Sequence, residues 1–456
     1  MPVPGLAERW EISKDLRTYT FHLRDTTWSD GTPITAQDVV DAWLRVLAPD
    51  TASGYAYLLT ESIVGADAYN KGKGSASAVA IRALDRRTFQ VTFVGPLPYA
   101  LAMLTHSAFV VTPTFAVRKF GPGQWTRPAH FVGNGPYVLK AWKPQNKVVV
   151  VRNPRYWDAR HVGLDSITFL AIEDSNVAYD KYLAGEVDYL PSDSVPTARI
   201  DEIRLRRDFH RTPGSTVSYF AFNLARDPFR DARVRKALSM AIDRRQLAEE
   251  VLKTGDVPTA GLVPSMGGFV TAKGNGFDPD QARRLLAQAG YPGGRGFPRF
   301  TVIYNTGARN KTVCEWLQET WKRTLGIRAE LQNLEWNTYL DVRQKSHDFQ
   351  LVRAGWLADY PDPSNYLDMF RTGGGNNDAQ YANPRYDALL DRAATMPTGP
   401  DRNRVLEQAE GLLVTQDQAI TPLLFAMNGY LLDDRRWGGI FPNAIDIHHP
   451  RWWFAR

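Results

Sequence analysis

Residues 300–334 constrain the fold of this chain more than any other stretch. Phe300–Tyr304 reads as a strand, Asn310–Leu325 as an amphipathic helix stopped by Gly326, and Ile327–Leu334 as a second strand. A strand that returns to its own sheet through one helix runs parallel to its predecessor, and parallel sheets are covered by helices on both faces. The chain is therefore expected to be α/β. In open sheets of this class, ligands bind beyond the carboxyl ends of the strands. A further strand pattern, Asp348–Trp356, runs into RAGWLADYPDPSNYLDMF (353–370), a turn that is both acidic and aromatic. A carboxylate such as Asp359 or Asp362 beside the Trp356 indole suits a cationic group, which gains a charge-assisted hydrogen bond and a cation–π contact. The alternative is a turn whose aspartates cap backbone amides.

Other segments fill in the pattern. Thr18–Arg24 alternates like a half-buried strand, and Thr35 precedes a helical pattern over Asp38–Leu47. Thr88–Val94 and Lys147–Arg152 read as strands, with a tight turn at Gly133–Tyr137. Arg230–Lys253 is a long helical pattern with a break near Asp243. Asp278–Ala289 is a helix with Asp278 as N-cap, Pro279 in the first turn and Gly290 as its stop. A short helix near Asn337–Gln344 precedes the strand that leads to Asp359, and Arg402–Val414 is a late helix.

Composition narrows the function. The chain has 456 residues with 43% hydrophobic and 23% charged, an ordinary balance for a globular protein of two or three domains. Its net charge of +6 is spread along the chain with Asp and Glu interleaved, so it forms no basic tract for nucleic acid. The one cysteine, Cys314, excludes an internal disulfide and a thiolate-rich metal site. No phosphate-binding loop, G-x-S-x-G elbow, H-E-x-x-H pair or C-x-x-C is present. No cofactor or metal is expected, and the pattern favours a binding protein over an enzyme. A hydrolase would have to use Asp359 and Asp362 as an acid–base pair. The opening MPVPGLAERW has no basic, then apolar, leader, and Tyr99–Val117 is too broken to span a membrane.

Several segments together resemble the oligopeptide-binding family of ABC-transporter solute receptors. They are LAERWEISKDLRTYTFHLRDTTWSDGTPITAQDVVDAW (6–43), GNGPYVLKAW (133–142), RNPRYWD (152–158), PFRDARVRKALSMAIDR (228–244), YNTGARNKTVCEWLQETWKRTLGI (304–327) and RAGWLADYPDPSNYLDMF (353–370). The resemblance implies a two-lobed fold of the periplasmic-binding-protein type (type II, the large peptide-binding class) with an extra small α/β domain. That domain would span 1–113. One lobe would be discontinuous, 114–218 with 427–456, and the other would span 219–426. It further implies a segment upstream of this sequence, with a signal sequence and the first strand of the discontinuous lobe, whose loss would leave an unfilled edge.

The resemblance also assigns residues. Asp359 would receive the peptide α-ammonium, because a buried ammonium without a counter-charge is costly. Gly355, Trp356 and Tyr55 would line the peptide backbone. Arg353, Arg343 and Lys253 would offer alternative cations for the C-terminal carboxylate of peptides of different lengths. Trp336 and Asn310 would line side-chain pockets. The implied function is an extracytoplasmic receptor that holds short peptides in extended form between two lobes and delivers them to a permease. It would act as a monomer, periplasmic or at the outer face of the cytoplasmic membrane, touching the membrane only by a lipid anchor or by docking on permease subunits. Within the same fold, a nickel chelate, haem, a murein peptide or an opine-like compound are the alternative solutes. A structural or adhesive role on the same scaffold is the remaining alternative.

Overall fold

Strand and helix boundaries follow local chemistry closely in the computed structural model, which describes residues 3–443 and 445–456. The chain divides into two units. One comprises Met1–His210, Gly429–Pro442 and Ile447–Arg456, and the other Arg211–Asn428 with Asn443–Asp446.

In the first unit, strands β1 (Ala7–Ile12), β2 (Thr18–Leu23), β3 (Ile81–Ala83) and β4 (Thr88–Thr92) form an antiparallel sheet in the order β1-β2-β4-β3. The helix Ala36–Leu47 covers it. Thr35 and Asp38 close a reciprocal capping box at its start, and Trp43 packs edge-on against Phe89 at 5.0 Å. A second antiparallel sheet contains β5 (Tyr137–Lys143), β6 (Lys147–Arg152) and β7 (Ser166–Leu170). The short β8 (Tyr189–Leu190) pairs with the end of a long strand described below.

The chain passes from one unit to the other inside two long strands, β9 (Phe209–Phe222) and, after β10 to β13, β14 (Ile420–Leu432). The second unit is built on β10 (Val257–Pro258), β11 (Phe300–Asn305), β12 (Ala329–Leu334) and β13 (Leu351–Trp356), in the order β10-β14-β9-β13-β11-β12. The expected β-α-β unit is present: β11 and β12 pair in parallel with Phe300 opposite Ala329, joined by the helix Ala308–Leu325. Gly326, at φ +71°, ends that helix in the left-handed conformation that glycine adopts without steric cost.

Period-two alternation sends side chains of this sheet into two cores. On β9, Val217, Tyr219 and Ala221 enter one core with Val352 and Ala354 of β13. Phe220 and Phe222 enter the other with Leu351, Val302 and the helical residues Val313, Cys314, Leu317 and Trp321. The long pattern Arg230–Lys253 is interrupted as expected. The helix Ala232–Met240 ends, and Asp243 caps a new turn by accepting from the Arg245 and Gln246 N–H groups at 3.0 Å. No described helix is long and apolar enough to cross a membrane.

Candidate functional site

The carboxyl ends of the parallel strands β11, β12 and β13 gather most of the residues singled out from the sequence. In the antiparallel β9–β13 pair, alternate residues of β13 direct their backbone groups toward β9 and away from it. Gln350 accepts from the Asn223 N–H at 2.9 Å and so faces β9. By alternation Arg353 and Gly355 face away. The Arg353 carbonyl does so visibly, accepting from the Tyr339 hydroxyl at 2.5 Å.

On that outer side β13 pairs with β11 only through Val302–Leu351 and Ile303–Val352. Beyond Val352 no described strand lies against it. The outward N–H and C=O of Gly355 therefore sit on an open strand edge, the arrangement that accepts an extended peptide. A Cβ at Gly355 would lie 3.2 Å from the Val217 carbonyl and 3.7 Å from Arg353 Nη2. The Arg353 guanidinium is thus folded alongside this glycine. Its Nη1 donates to Asn305 Oδ1 at 3.4 Å, and it forms no ion pair among the described residues. Burial lowers its pKa from the usual arginine value, so an incoming anion would meet a cation short of counter-charge. Asn310, in the first turn of the helix Ala308–Leu325, donates to the Asn305 carbonyl and to Oδ1 at 3.1 Å each and so fixes that acceptor.

The turn after β13 is held by a residue that sequence reasoning did not single out. Asn365 is 7% exposed and its Oδ1 accepts both from Trp356 Nε1 at 2.8 Å and from the Asp359 N–H at 3.0 Å. One amide thereby sets the indole and the Asp359 backbone in a fixed relation, with Asp359 half-buried. The run SNYL alone gives no signal of this, because an asparagine in the first turn of a helix is as readily a surface residue.

Asp362 has a different part from the one expected. It is 5% exposed and accepts from both terminal nitrogens of Arg402 at 2.9 Å, and from Ser364 N–H and Oγ–H at 2.9 and 2.7 Å. The amide-capping alternative therefore describes Asp362. The acid–base pairing of Asp359 with Asp362 loses its second member to a buried ion pair.

The remaining candidates scatter. Arg343 is 6% exposed, and its Nη2 meets Asp378 at 2.7 Å, so its charge is already matched inside the unit. This corrects its expected place among the ligand cations: burial beside a carboxylate leaves it facing no solvent. Lys253 is exposed at φ +56° and makes no ion pair among the described residues. Trp336 is 52% exposed at the start of the short helix Trp336–Leu340 and stacks on Tyr339 at 5.7 Å, so it is not a core residue. Tyr55 lies in the other unit, exposed, with its ring 6.0 Å from Tyr57 and 4.7 Å from His106. Among the described residues no cluster of His, Cys, Asp or Glu could hold a metal ion.

Comparison with known proteins identifies the family. The model of the bacterial extracellular solute-binding proteins, family 5 (middle), matches residues 1–378. The chain is 35% identical to the periplasmic oligopeptide-binding protein OppA of Salmonella typhimurium over 442 residues, covering 94% of this chain and 80% of that protein. It is 35% identical to the periplasmic murein peptide-binding protein MppA of Escherichia coli, covering 98% of this chain and 84% of that protein. The crystal structure of an oligopeptide-binding protein (OppAIV) of Borrelia burgdorferi superposes with a TM-score of 0.85 at 35% identity, covering 99% of this chain and 91% of that one.

Proposed function

This chain belongs to the bacterial extracellular solute-binding proteins of family 5, and we propose that it is an extracytoplasmic receptor that binds short peptides in extended form and passes them to the permease of an ABC transporter. The observation that carries this reading is the open edge of β13. Gly355 offers one outward donor and one outward acceptor, and a peptide of any sequence supplies their complements. Affinity then comes from backbone pairing, and side chains are tolerated rather than read.

The two ends of the peptide are met by charge. Asp359, on the turn that Asn365 fixes, receives the α-ammonium, and the Trp356 indole beside it adds a cation–π face. Arg353 receives the carboxylate of the shortest peptides. Lys253, exposed and in no ion pair among the described residues, is the alternative cation for others. Trp336, exposed beside this edge, offers a side-chain contact. Arg343 supports the strand instead of touching ligand. A metal chelate or haem has no use for a paired ammonium and carboxylate site, so these solutes fit the residues less well.

Calorimetry on protein stripped of ligand by denaturation and refolding tests the reading. A free tripeptide is expected to bind, and its N-acetylated form to bind about 30-fold or more weakly, the equivalent of about 2 kcal/mol for a lost charged hydrogen bond. Equal affinity for the two forms would overturn the role of Asp359.

A further inference from the structure

Behind the open edge of β13 lies a buried polar cluster. Tyr339, 1% exposed, donates its hydroxyl to the Arg353 carbonyl at 2.5 Å. Arg343 Nη1 approaches the same hydroxyl oxygen at 3.5 Å, with its guanidinium 5.9 Å over the Tyr339 ring. Arg343 is in turn held by Asp378, and the Tyr219 hydroxyl reaches the same carboxylate oxygen at 3.5 Å.

The direction of the hydrogen bonds follows from the donor inventory. Arginine can only donate, so the Tyr339 oxygen accepts from Arg343 and its single proton is left for Arg353. The arrangement is poorly optimised for stability. Arg343 Nε and Asp378 Oδ1 are buried without a hydrogen-bond partner among the described residues, and each such atom costs free energy. Buried ion pairs are often outdone in stability by apolar side chains of similar volume. An apolar core here would, however, leave the Arg353 carbonyl with no donor.

We infer that Tyr339, oriented by the Arg343–Asp378 pair, is a positioning residue that fixes the Arg353 backbone and so aims its guanidinium at the ligand carboxylate. The inference rests on the reading of Arg353 as the carboxylate-binding cation. It assigns Arg343 an indirect part in recognition.

The test compares a tripeptide with its C-terminal amide on the full chain, by calorimetry, for wild type, Tyr339→Phe, Arg343→Lys and Arg353→Ala. The wild type is expected to prefer the free acid, and Arg353→Ala to lose that preference. Tyr339→Phe keeps the buried ring, and is expected to lower the preference about two- to ten-fold, the range of one neutral hydrogen bond, with affinity for the amide unchanged. Arg343→Lys is expected to move the ratio in the same direction, and it carries the test if the phenylalanine variant does not fold. An unchanged ratio in a folded Tyr339→Phe protein, or equal losses for both peptides, would overturn the positioning role while leaving that of Arg353 intact. A preference that survives Arg353→Ala would overturn the reading beneath it, and this inference with it.

Discussion

Replacing Asp362 by alanine strips a buried guanidinium of its carboxylate, and the geometry fixes the scale of the loss. Arg402 is 1% exposed and directs both terminal nitrogens to Asp362 at 2.9 Å. Its Nε–H keeps the Ala393 carbonyl at 3.2 Å, which satisfies a hydrogen but offsets no charge. Removing one partner of a buried pair costs about 3–5 kcal/mol, and the Asp368 carboxylate, which also acts on Arg402, puts this loss toward the lower end. The two hydrogen bonds from Ser364 are lost as well. At about 2–4 °C per kcal/mol for a unit of this size, the thermal midpoint is expected to fall by roughly 6–20 °C. The double variant Asp362→Leu, Arg402→Met replaces the pair by apolar groups and is expected to recover most of that loss. Scanning calorimetry on ligand-free protein measures both. A single-variant midpoint within about 2 °C of wild type would refute the reasoning, since a pair with that little effect is not desolvated.

Further predictions follow from the site and its supports. Asn365→Leu removes the acceptor shared by Trp356 and the Asp359 backbone, so tripeptide affinity is expected to fall ten-fold or more, about 1.4 kcal/mol. A shift in indole fluorescence should accompany it, and unchanged titrations would count against the shared anchor. Burial pushes the Glu410 carboxyl up to about 7 from 4.5, opposed by backbone hydrogen bonds from Val263, Ala272 and Leu262. Because the folded value lies above the unfolded one, the native state holds this proton more tightly. Its contribution is complete below about pH 4.5 and is lost as pH rises through about 7. Urea unfolding of wild type against Glu410→Gln should show their difference moving by about 3 kcal/mol across that window, and a difference independent of pH would contradict the assignment.

What could be read from the sequence was local. The β-α-β unit was legible because helix period, strand pattern and the Gly326 stop agree, and the structure realises it with only small shifts of boundary. The break at Asp243 was legible because an aspartate that caps its own next turn competes with helix continuation. The strand expected from Asp348 begins instead at Leu351, because His347 takes a left-handed conformation at φ +49° and Asp348 turns out to pair with Arg226.

Charge partners were not legible. Asp362 finds Arg402, and Arg343 finds Asp378, each across a stretch of chain that only the folded topology closes. Residue type and local spacing are the same for a buried pair as for two solvated charges. For the same reason Arg343 stood beside Arg353 as a candidate cation, although one side chain lies inside the unit and the other at its open edge. Asn365 carried no signal because its value lies in two bonds to residues of the preceding turn.

On the proposed reading, the protein carries short peptides held by their ammonium at Asp359. The most direct measurement is mass spectrometry of the small molecules released on denaturing purified wild-type protein and the Asp359→Ala variant, with thermal midpoints confirming that both are folded. A ladder of mixed short peptides is expected from the wild type, and its loss from the variant. A single non-peptide compound from the wild type, or the same peptides retained at equal occupancy by the variant, would contradict it.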